Sequence, residues 1–135
     1  MKPITREWVD KAEEDYRVAR HERNVRPPAY TAVCFHTQQC VEKYLKALLQ
    51  EHARPFSRTH DLEALMTLCL FVVPELEKYR AHLQWLTVFA VEARYPGIAA
   101  RKQDAERCFQ IAKLLRTLLR RRLGLIPKRT KRSGA

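Results

Sequence analysis

The chain has 135 residues, enough for one domain and one hydrophobic core, and 46% of them are hydrophobic. Only three glycines are present and none forms a phosphate-cradling loop, which argues against a Walker-type or dinucleotide-binding site. The formal net charge of +11 suits an anionic partner such as nucleic acid, a nucleotide or an acidic protein.

The apolar periodicity is helical almost throughout. Helix one is expected from a cap at Thr5 to about Arg23, with Trp8, Ala12, Tyr16 and Ala19 on its apolar stripe. Pro27-Pro28 breaks the chain, and helix two follows from about Ala29 to His52, long enough to be the spine of a bundle. Its arc Tyr30, Val33, Cys34, Val41, Tyr44, Leu45 and Leu48 is apolar, while His36, Gln39, Lys43 and Lys46 share a polar stripe. Gln38 and Glu42 sit on the margin of the apolar arc, where an amide and a carboxylate need hydrogen-bond partners. Arg94 is the partner expected for Glu42.

Residues 53 to 59 read as a loop, and Thr59 or Asp61 caps helix three, which carries Leu62, Leu65, Met66 and Cys69. Pro74 interrupts it and opens a short segment. Helix four spans roughly Tyr79 to Arg94, with Leu83, Leu86, Phe89, Ala90 and Ala93 inward, and Pro96-Gly97 ends it. Helix five runs from about Arg101 to Leu123, with Ala105, Cys108, Ile111, Ala112, Leu115 and Leu119 inward, and Gly124 closes it. The expectation is an all-α, antiparallel four-to-five-helix bundle over residues 1–124, followed by a basic, disordered tail over 125–135.

The N-terminus lacks a signal-peptide core, and the most apolar run, Leu65 to Val73, is too short to span a bilayer, so a cytoplasmic protein with no membrane partner is expected. Cys34, Cys40, Cys69 and Cys108 form no Cys-x-x-Cys pair and read as reduced thiols; neither a metal nor another cofactor is expected. No Asp or Glu follows Arg107. Lys113, Arg116 and Arg120 share a helix-five stripe that Arg121 extends, forming a basic patch able to meet RNA phosphates. A solvated face is the plainer reading of that patch.

The helix-two segment from Phe35 to Ala47 resembles the second helix of the HEPN family, the higher eukaryotes and prokaryotes nucleotide-binding domains. The opening helix with Trp8, Ala12 and Asp15, the triplet His60-Asp61-Leu62 and the triplet Arg94-Tyr95-Pro96 fit the same family, over roughly residues 5 to 123. The resemblance implies a nucleotide site built from His36, Gln39, Lys43 and Arg94, and a polar network of Gln38, Glu42, His60, Asp61 and Tyr95. It also implies a homodimer or higher even oligomer, and a non-catalytic subunit that binds nucleotide or RNA. A minimal nucleotidyltransferase is the implied partner protein, in a toxin–antitoxin-like or substrate-binding system.

Two alternatives stand beside that reading: a metal-independent HEPN ribonuclease toxin, and a helical scaffold for protein contacts with no small ligand. Nuclease members carry an arginine and a histidine four to six residues apart near the start of the last major helix. Here no histidine follows Arg94, and the last is His82. Arg54 and His60 have the spacing but lie in the loop between helices two and three, so the match reads as coincidence. The sequence therefore leans away from catalysis.

Overall fold

The computed structural model describes residues 1–126; of the tail expected over 125–135, residues 127–135 lie outside them. The described residues form five α-helices and one 3-10 helix, with no strand. These are α1 (Pro3–Asn24), α2 (Tyr30–Glu51), α3 (Leu62–Cys69), the 3-10 helix Pro74–Tyr79, α4 (Arg80–Glu92) and α5 (Lys102–Arg122).

The helices begin and end where local chemistry directs them. Thr5 does not cap α1. Pro3 starts that helix, where its missing N–H costs nothing, and Thr5 is buried inside it, donating to Glu51 at the end of α2 at 2.9 Å. Asp61 caps α3 by accepting from the backbone N–H groups of Glu63 and Ala64 at 3.0 and 3.3 Å. Asp104 accepts from the Arg101 backbone N–H at 3.0 Å and so fixes the start of α5. Gly124, at φ +75°, ends α5: its N–H bonds the Arg121 carbonyl and the Leu125 N–H bonds that of Arg120. Leu125 also packs on the core, so the globular part extends slightly past residue 124.

The core centres on α2. Val33, Cys34, Val41, Tyr44, Leu45 and Leu48 are buried as the helical period requires, and so are Thr37, Cys40, Lys46, Ala47 and Leu49 on its other faces. α1, α3, α4 and α5 surround it. Ala12, Tyr16 and Ala19 of α1, Leu62, Leu65 and Met66 of α3, Leu83 and Leu86 of α4, and Cys108, Leu115 and Leu119 of α5 complete the core. All four cysteines are free and buried, and burial pushes the Cys69 thiol up to about 12. Among the described residues no helix is long and apolar enough to cross a membrane.

One charged cluster joins three helices. Glu13 of α1 accepts from Arg116 and from the Tyr44 hydroxyl, and Arg120 donates to that hydroxyl at 3.0 Å. Burial raises the Glu13 carboxyl, but the hydrogen bonds of Arg116 and Tyr44 and the charges of Arg116 and Arg120 outweigh it and hold the group below its ordinary value. The folded state thus favours the ionised form. Its contribution to stability is present above the unfolded carboxylate pKa of roughly 4.3 and disappears as pH falls through the lower folded value. Glu13→Gln is therefore expected to melt below wild type at pH 7, with the gap narrowing below about pH 4. Thermal melts from pH 7 to 3 check this, and a constant gap would show that ionisation of Glu13 is not its source.

Candidate functional site

The helix-two residues singled out by sequence divide into two groups around α2. His36 and Lys43 turn toward α1, where both meet Asp15: His36 Nδ1 lies 2.8 Å from one carboxylate oxygen and Lys43 Nζ donates to the other. Neither lines a recess with Arg94. Of the residues expected to share one site, Gln39 and Arg94 line the same recess, while His36 and Lys43 lie at the α1 contact. The His36 and Lys43 part of the polar stripe is a helix–helix contact rather than an open face, and the Lys43 charge is already matched.

The second group is centred on Glu42, which is 3% exposed. Its Oε2 accepts from Lys46 Nζ at 3.0 Å, and its Oε1 lies 2.8 Å from His60 Nδ1 and 3.3 Å from Gln38 Nε2. Gln38 Nε2 also donates to the His60 carbonyl at 3.0 Å, and Gln39 Nε2 donates to Gln38 Oε1 at 2.7 Å. Lys46 is itself buried, with its ammonium 5.5 Å from the Trp8 ring centroid and 5.9 Å from that of Phe56. Gln38, Glu42 and His60 thus share one network.

Arg94 is not the partner of Glu42. It lies over the Phe35 ring, with its guanidinium carbon 4.8 Å from the centroid. Lys46, one turn along the same helix, and His60, delivered by the loop before α3, satisfy Glu42 instead. Asp61 is occupied as the α3 cap, and Tyr95 is 59% exposed; neither joins the network. Arg54 stacks on Phe71 at 4.0 Å while His60 turns to Glu42, so the two residues with nuclease-like spacing engage different partners.

These placements leave a cleft of about 280 Å³ lined by Phe35, Gln38, Gln39, His60, Ala90, Val91 and Arg94. Its walls come from α2, the loop before α3, and the end of α4. An ionised carboxylate only accepts, so Glu42 requires the proton on His60 Nδ1. In the neutral ring that leaves Nε2 as an acceptor. The His60 side chain is 76% exposed. Among the described residues no carboxylate lies within ion-pair range of Arg94, so the cleft mouth carries an uncompensated cation. The cleft offers one guanidinium, two amides, an imidazole edge and an apolar wall.

A model of the HEPN domain matches residues 5–122 of the chain. The chain belongs to the HEPN family. The match covers every helix of the bundle, and the all-helical architecture agrees with it. HEPN membership gives a nucleotide- or RNA-related function in broad terms. Comparisons with curated proteins and with solved structures found no match.

The basic patch on α5 of this HEPN domain also divides. Arg116 and Arg120 are drawn inward to Glu13 and Tyr44, whereas Lys113 and Arg121 face outward. Among the described residues no group of three His, Cys, Asp or Glu side chains is placed to hold a metal ion. The feature that sequence reasoning missed is Lys46 as the ion-pair partner of Glu42; the available signal was their i,i+4 spacing on one helix.

Glu42→Ala leaves Lys46 charged in a buried site, and a stability loss of about 3 kcal/mol is expected. His60→Ala removes a mostly exposed partner and leaves the lysine pair intact, so a loss below about 1 kcal/mol is expected. Urea unfolding of both variants tests the contrast, and equal losses would show that the network is not centred on the buried pair.

Proposed function

We propose that this HEPN domain is a non-catalytic binding subunit that takes a nucleotide in the cleft between α2 and the end of α4. The observation that carries this reading is Arg94. It is a cation without a carboxylate partner among the described residues, held over Phe35 at the mouth of a cleft that also presents Gln38, Gln39 and His60. In the proposed complex the guanidinium meets phosphate oxygens, for which its planar fork is suited. Gln39 and the His60 edge meet base or sugar, and Phe35, Ala90 and Val91 supply apolar contact. A volume of about 280 Å³ sits near the lower end of small-ligand pockets, which favours a single nucleotide over a larger cofactor.

The absence of a histidine after Arg94 in the sequence supports binding without cleavage. A pair of proton-transferring groups poised across a scissile phosphate would otherwise be expected here. In the proposed assembly two copies pair, with a minimal nucleotidyltransferase as partner protein in a toxin–antitoxin-like system. The apolar side chains Val88 and Val91, 56% and 46% exposed, support pairing through α4.

Calorimetric titration with ATP and GTP tests the site. Wild type is expected to bind at least one of them, Arg94→Ala to lose at least tenfold in affinity, a change of about 1.4 kcal/mol, and Lys43→Ala to retain wild-type affinity. Wild type binding neither nucleotide, or Arg94→Ala binding as tightly as wild type, would remove the cleft as the site. The same preparation is expected to leave an unstructured RNA intact. Turnover that His60→Ala abolishes would instead support the ribonuclease reading.

A further inference from the structure

The polarity of the cleft wall is fixed by the buried acid behind it. Glu42 Oε1 and the His60 carbonyl only accept, so Gln38, whose Nε2 lies 3.3 and 3.0 Å from them, must turn its amide nitrogen toward both. Its two N–H groups are then spent, and its Oε1 faces Gln39. That oxygen in turn requires an N–H from Gln39, whose Nε2 lies 2.7 Å away. Gln39 is half-buried and keeps its Oε1 and one N–H for a ligand. The same acid claims the proton on His60 Nδ1 at 2.8 Å, so the exposed imidazole edge keeps Nε2 as an acceptor. Reversing either amide would set oxygen against oxygen, and the other imidazole tautomer would set a bare nitrogen against a carboxylate. Gln39 and His60 therefore offer the cleft two acceptors and one donor, in a fixed polarity.

We propose that the cleft selects guanine nucleotides over other nucleotides, with His60 as the residue that decides. This inference rests on the nucleotide reading of the cleft and adds the identity of the base. Among the common bases, guanine alone presents two adjacent donors, N1–H and the 2-amino group, beside one acceptor, O6. In the proposed complex Gln39 Oε1 accepts from N1–H, the free Gln39 N–H donates to O6, and His60 Nε2 accepts from the 2-amino group. Gln39 alone does not discriminate, because an amide also pairs with the amino group and a ring nitrogen of adenine. The imidazole breaks that tie. Where guanine carries its 2-amino group adenine carries a C–H, so His60 Nε2 is left without a donor. Uracil has one ring N–H and cytosine one amino group, and each leaves an acceptor unmatched in the same way. A site built around a hydrogen bond rejects the analogue that lacks the partner. Glu42 touches no ligand here; it is a positioning residue that holds His60 in the required tautomer.

Calorimetric titration of the full chain with GTP, ITP and ATP tests the selection, since ITP keeps the guanine edge but lacks the 2-amino group. GTP is expected to bind about tenfold more tightly than ITP or ATP. His60→Ala is expected to bring GTP down to the ITP affinity and leave ITP unchanged, which isolates the contact to the amino group. Arg94→Ala is expected to weaken all three nucleotides alike and keep the preference. The double variant Glu42→Met, Lys46→Met leaves no buried charge behind, and its GTP preference over ITP is expected to shrink, a ratio that lost stability alone would not move. Nitrogen-15 NMR of the wild-type histidine rings at about pH 8, where an ordinary imidazole is neutral, is expected to show His60 protonated at Nδ1. The proposal is overturned if wild type binds GTP no more tightly than ITP or ATP, if His60→Ala keeps the preference, or if His60 carries its proton on Nε2. Equal binding of GTP and ATP that still depends on Arg94 removes the selection and leaves the nucleotide site standing. Binding of neither removes both.

Discussion

A buried carboxylate organises the candidate site. Glu42 is almost fully withdrawn from water, and an ionised group in that position must be matched at close range or the fold loses several kcal/mol. Its matches come from two directions. Lys46 reaches it from one turn along α2, and His60 reaches it from the loop before α3. The second contact fixes the loop against α2, and the Gln38 amide holding the His60 carbonyl tightens the same point. The loop thus carries the imidazole to the cleft wall. The shape of the recess is a consequence of satisfying one acid.

The same logic recurs at the α1 face. Asp15 collects His36 and Lys43, and Glu13 collects Arg116, Tyr44 and Arg120. Such partly buried pairs add little net free energy once desolvation is counted, and their main effect is on which faces meet. α1 rotated by one residue would strand both acids against apolar surface. Hydrophobic burial holds the five helices together, and these acids set the rotation of α1 against α2 and α5.

Most of the fold is legible in the sequence because helix period, proline breaks and a terminal glycine are local signals. The inward residues of α3 and α5 follow from spacing alone, and Gly124 ends α5 as its conformational freedom allows. What the period does not reveal is the neighbour on a polar face. His36, Gln39, Lys43 and Lys46 do form a stripe, yet a helical wheel gives the same picture whether that stripe meets water or another helix. Here α1 covers part of it, so Lys43 is paired with Asp15 of α1, while Lys46 pairs with Glu42 on its own helix. The pairing of Arg94 with Glu42 failed for a related reason. Sequence order says that both lie near helix margins but not that Lys46 and His60 are closer. Thr5 misled because a hydroxyl near a helix start is a common cap, and Pro3 moved the cap three residues upstream, to Lys2.

Counting where the carboxylates go explains where free positive charge remains. The chain has 15 acidic residues against 26 lysines and arginines. Glu13, Asp15, Glu42, Glu63, Glu75 and Glu106 are each engaged with a cation from elsewhere in the bundle, and all but Glu42 reach a cation on a different secondary-structure element. Arg23, Lys43, Lys46, Arg80, Arg116 and Arg122 are thereby removed from the pool that can meet a ligand. The positive charge that remains is spread over several elements: Lys11, Arg17 and Arg20 of α1, Arg58 of the loop before α3, Arg94 after α4, and Lys113 and Arg121 of α5 are exposed and outside any ion pair among the described residues. Arg94 differs from the others in lining the cleft beside the Glu42 network, where unmatched charge and concave surface coincide. The paired acids do not offset these cations, because they are committed to holding the helices in register.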